Sequence, residues 1–76
     1  MNTEIKIESG RVYLIYRGKD YGSYPEKIIS FQKKRDSILL VRIDEGLICA
    51  ESISNVSVND MPLTEDNFKE LLFDNL

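Results

Sequence analysis

The chain has no histidine, no tryptophan, one cysteine and two prolines. Each shortage excludes something. Without histidine there is no Ser/His/Asp or Cys/His arrangement for nucleophilic catalysis. A single cysteine makes neither an internal disulfide nor a structural zinc site. Cys49 stands in the run Leu47-Ile48-Cys49-Ala50. With no group nearby to lower its pKa, it reads as a small buried hydrophobe. Only four glycines occur, scattered at Gly10, Gly18, Gly22 and Gly46, so no phosphate-cradling loop is present. No apolar run approaches the ~20 residues that span a bilayer, which argues against a membrane partner. The start, Met1-Asn2-Thr3-Glu4, lacks the basic and apolar regions of a signal peptide, so secretion by that route is not expected. The lone thiol fits synthesis in a reducing cytoplasm.

What is present is short strands separated by turn signals, the pattern of a β-rich domain. The 76 residues form one domain, 1–76. Alternation and turn residues place strands at Glu4–Glu8, Arg11–Arg17, Lys27–Gln32, Ser37–Ile43 and Leu47–Ile53, with a short extended piece at Tyr21–Tyr24. Lys33-Lys34-Arg35-Asp36 is the most polar stretch and reads as a loop tip. At Ser54-Asn55 the apolar parity shifts from odd positions to even ones, which calls for a bulge or bend. Val56–Val58 should fold back on Met61–Leu63 through a tight turn at Asn59-Asp60. Thr64 should cap a helix over residues 65–74, whose stripe is Phe68, Leu71, Leu72 and Leu76. The expected fold is therefore mainly β (α+β). Five or six short antiparallel strands form a small barrel or sandwich-like sheet, followed by one C-terminal helix.

Two strands do not alternate simply. Val12-Tyr13-Leu14-Ile15-Tyr16 and Ile38-Leu39-Leu40-Val41 are apolar at both parities, which predicts burial on both faces. In so small a chain that implies a closed barrel or a face pressed on another protein. A domain of this size also buries only about 60% of its unfolded surface. With no disulfide or metal available, oligomerisation or a partner is the remaining staple.

The net charge of −3 hides an asymmetry. Residues 1–43 carry nine Lys/Arg against five Asp/Glu, while residues 44–76 carry Lys69 alone against eight acids. If the halves lie on different faces, one copy attracts the next head to tail; if they mix in space, the charges only solvate the surface. Asp44-Glu45, or Glu65-Asp66 with Asp60, lacks the spacing of a calcium loop and reads as turn and helix-start acids. The Lys33-Lys34-Arg35 tip beside several tyrosines allows an OB-like or SH3-like nucleic-acid binder. The pI of about 4.8 argues against nucleic acid.

The tail Val56-Ser57-Val58-Asn59-Asp60-Met61-Pro62-Leu63-Thr64, followed by Phe68, Leu71 and Leu72, resembles the ends of small virion proteins of tailed bacteriophages. These are head-decoration, head-fibre and neck or tail accessory proteins, in which a strand, a tight turn and a short apolar helix close the chain. The turn here is Asn-Asp where that pattern favours Asn-Gly. The resemblance implies a structural subunit of a virion, present in many copies and docked on capsid, neck or tail proteins.

The expectation is thus a non-enzymatic structural or interaction subunit without cofactor, acting through protein partners as a homo-oligomer or part of a larger assembly. Its location would be a virion or the cytoplasm. Tyr13, Tyr16, Arg17, Tyr21 and Tyr24, with the helix stripe Phe68, Leu71 and Leu72, are the expected interface, since tyrosine and arginine anchor interfaces. A small acidic inhibitor that masks a partner is the alternative.

Overall fold

The computed structural model describes residues 2–44 and 46–73, the side chain of Asp36 excepted. Within them lie eight strands: β1 (Thr3–Glu8), β2 (Arg11–Tyr16), β3 (Lys19–Pro25), β4 (Ile29–Lys34), β5 (Ile38–Ile43), β6 (Gly46–Ser52), β7 (Val56–Val58) and β8 (Met61–Pro62). A short helix, α1 (Phe68–Leu72), follows. One sheet has the order β3-β2-β1-β7-β8 and the other β4-β5-β6.

Local sequence explains most of the turns. Ser9-Gly10, Arg17-Gly18 and Asn59-Asp60 each have positive φ at both residues and join antiparallel strands in two-residue loops. That geometry matches the right-handed twist of the strands it connects. The Asn59-Asp60 hairpin forms as expected, with Ser57 opposite Pro62 and Val58 opposite Met61. Asn59 does more than turn the chain. Its N–H donates to the Ile5 carbonyl, and its Oδ1 accepts the Ile7 N–H, both near 2.9 Å. The β1 ladder therefore continues past the end of β7. Gly22, at φ +79°, lies where two residues of β3 face one of β2, and the Asp20 carboxylate accepts its N–H at 2.7 Å. This bulge makes Lys19–Pro25 a full strand rather than a short piece.

Three single 3-10 turns redirect the chain: Glu26–Ile28, Arg35–Ser37 and Ile53–Asn55. The last is the bend that the parity shift demands. It carries the chain from β6 in one sheet to β7 in the other, where β7 pairs parallel with β1. That parallel pairing departs from the all-antiparallel expectation, because a strand arriving from the second sheet enters beside β1 in the same direction.

The sheets pack face to face around one core. Ile5, Val12, Leu14, Val56 and Val58 come from the first sheet; Ile29, Phe31, Leu39, Val41 and Cys49 come from the second. They do not close into a barrel. Nor are β2 and β5 buried on both faces. Val12, Leu14, Leu39 and Val41 are buried, whereas Ile15, Ile38 and Leu40 are half-buried and Tyr13 is exposed. The second apolar parity meets water.

The helix is shorter than expected at five residues. Thr64 and Asn67 exchange hydrogen bonds, with the Thr64 N–H donating to Asn67 Oδ1 and the Asn67 N–H donating to Thr64 Oγ1. The exchange has the pattern of a capping box, but it closes a turn over residues 64–67; the N-cap of α1 is Asn67, so Thr64 does not cap the helix as expected. Phe68 and Leu72 sit at 4% and 0% exposure in the chain's own core, with Leu71 half-buried against it. The expected helix end at Asp74, the stripe residue Leu76 and the turn residue Glu45 lie outside the described residues.

Candidate functional site

Register places the site. Across the outer face of the five-stranded sheet Asp20, Ile15, Glu4 and Ser57 lie abreast, with Ser23, Tyr13 and Lys6 in the next row. Side chains alternate along a strand, so burial of Val12 and Leu14 turns Tyr13 and Ile15 outward. Tyr13 is 42% exposed. Between the rows opens a groove of about 260 Å³, with Tyr13 and Ile15 among its lining residues and Asp60 of the β7–β8 turn at its rim. Glu4, Asp20 and Asp60 put three carboxylates on it against the single ammonium of Lys6. Among the described residues none of these acids forms an ion pair.

The other expected interface residues do intramolecular work. The Tyr16 hydroxyl donates to the Ala50 carbonyl at 2.9 Å, joining β2 to β6, and the Tyr24 hydroxyl donates to the Tyr21 carbonyl. Tyr16 and Tyr21 meet edge to face, with Arg17 over the first ring and Lys19 over the second. All three tyrosines are half-buried against the core. The helix stripe is a correction to expectation. Phe68 and Leu72 fill the chain's own core, because so short a helix is stable only when docked. They offer no surface to a neighbour.

Sequence reasoning missed the buried cluster at the rim of the two sheets. Glu51 is 3% exposed. Its carboxylate accepts from Thr3 Oγ1 at 2.9 Å, from Arg17 Nε at 3.1 Å and from the Ser52 N–H at 2.9 Å. Burial pushes its pKa up, but bonds from Arg17, Thr3 and the Ser52 amide outweigh that and bring it down to about 2. The ion pair in turn raises the Arg17 pKa further. The signal was the parity of β6. Cys49, Glu51 and Ile53 share the inward face, so Glu51 had to find donors there.

Cys49 is buried, and loss of hydration pushes its thiol up to about 11, with the Glu51 charge adding to the shift. Lys33 at the basic tip donates to Glu65 at 3.0 Å, and Ser37 donates to the same carboxylate at 2.9 Å. Glu65 is thereby held below the usual carboxylate range. Among the described residues no group of acids, cysteine or histidine gathers to hold a metal, and no helix is long and apolar enough to cross a membrane. Comparisons with family models, curated proteins and solved structures found no match.

Proposed function

We propose that this chain is a structural or interaction subunit, docking on protein partners through the outer face of its five-stranded sheet. The observation that carries the reading is Tyr13, exposed and lining with Ile15 a groove that charged side chains share. A large aromatic side chain on a sheet face, ringed by polar groups, is the composition of an interface anchor. Three of the four sheet edges, by contrast, are poor docking sites. β3 carries a bulge and ends in Pro25, β4 ends in two lysines, and β8 is two residues long. Such devices block strand addition.

The resemblance of residues 53–76 to small virion proteins of tailed bacteriophages favours capsid, neck or tail proteins as the partners. The acidic-inhibitor reading keeps one support, the unpaired carboxylates on the groove. Nucleic-acid binding through the basic tip loses weight, since Lys33 is engaged by Glu65. The test is the mass of the purified protein by light scattering at low and high salt, repeated with Tyr13→Ala. A defined multimer that the substitution weakens supports a docking face. A monomer that Tyr13→Ala leaves unchanged in every partner assay overturns it.

A further inference from the structure

We infer that the groove on the outer sheet face receives the basic tip Lys34-Arg35 of a second copy of this chain, so that copies join head to tail. The inference rests on the reading of that face as a docking surface. Three observations converge. First, the groove offers three carboxylates, Glu4, Asp20 and Asp60, against Lys6, and none of the three forms an ion pair among the described residues. Second, Lys34 at the end of β4, in the other sheet, and Arg35 just after it are exposed and form no ion pair among the described residues. Lys33 beside them is held by Glu65, which fixes the base of the tip and leaves the next two cations for a neighbour. Third, the floor suits these side chains. The methylene stems of lysine and arginine lie well on apolar surface, and a guanidinium stacks on a tyrosine ring. Tyr13 and Ile15 supply that floor.

Groove and tip belong to different sheets. A one-way contact between such distinct patches is heterologous, and repeated it generates a ring or a filament. Charge supplies the direction of docking and the apolar floor supplies the burial.

The test is a charge exchange followed by sedimentation velocity at low salt. Glu4→Lys with Asp60→Asn reverses the balance on the groove. Lys34→Glu with Arg35→Glu reverses the tip. All four residues are exposed, and circular dichroism checks that both variants fold. Each variant alone should dissociate, its association weakened roughly tenfold or more by the loss of two or three charged contacts. Mixed together, they should re-associate into hetero-complexes. A multimer that both variants leave intact overturns this contact while leaving an assembly role standing. A wild-type monomer at every concentration overturns the contact and homo-assembly together.

Discussion

Glu51 is the residue whose chemistry most constrains the fold. It ties the start of β1, the β2–β3 turn and β6 through Thr3, Arg17 and the Ser52 amide. Replacing it by glutamine keeps the shape but removes the charge its donors answer, and should cost about 1.5–3 kcal/mol in urea denaturation. A change within experimental error would show the cluster to be energetically idle. Its titration gives a pH signature. The folded pKa, about 2, lies below the ordinary 4.5, so the unfolded chain takes up the proton first as pH falls. The stabilisation is full above about 4.5 and is lost as pH drops toward 2. Wild type should lose stability through that window more steeply than Glu51→Gln, measured by urea midpoints at stepped pH. Cys49 makes a second prediction. Its buried, protonated thiol should resist iodoacetamide at neutral pH and react once the chain is unfolded in urea. Labelling of the native protein at the rate of a free thiol would contradict its burial. Inward parity in β6 was readable for both residues. The donors of Glu51 were not, since Thr3 and Arg17 are 48 and 34 residues away.

At the scale of elements, turn chemistry is local and was largely legible. The Asn59-Asp60 hairpin and the bend after Ile53 depend on residues within a few positions of one another, whereas Thr64 closes a turn ahead of the helix rather than capping it. The hairpin holds Asp60 at φ +68°, a conformation glycine adopts without strain. Asp60→Gly should therefore stabilise the protein by about 0.5–1 kcal/mol, read as a raised midpoint. Thr64→Ala loses the hydroxyl that accepts the Asn67 N–H and should cost about 1 kcal/mol. Leu72→Ala, at a fully buried position, should cost about 2–5 kcal/mol, enough to unfold much of so small a domain. Element ends were less legible. The 3-10 turn at Glu26–Ile28 takes the first two residues of the expected Lys27–Gln32 strand, and β4 runs on to Lys34, into the expected loop tip, because three residues are too few to show a period. The β3 bulge was hidden for a similar reason: Gly22 reads as a breaker until β2 lies alongside.

For the whole molecule, the charge asymmetry of the sequence is partly neutralised in space. Both ion pairs among the described residues, Arg17–Glu51 and Lys33–Glu65, join the basic first half to the acidic second half. Among the charges in no ion pair are the carboxylates on the groove and the two cations at the tip. Self-association should accordingly weaken as salt rises, measured by light scattering. A salt-insensitive multimer would place the contact on the apolar residues alone. The expected barrel fails at this scale. The two-faced apolar strands leave one parity half-covered, since the described residues supply no further element to lay over the outer faces. The sequence by itself determined the β-rich class, the tight turns and the absence of histidine or disulfide chemistry, because those follow from composition and from contacts between near neighbours. Tertiary structure alone decided the parallel β1–β7 pairing, the open sandwich, the Glu51 cluster and the groove lined by Tyr13. Each of these joins residues far apart in the chain, and their meeting depends on how the two sheets pack.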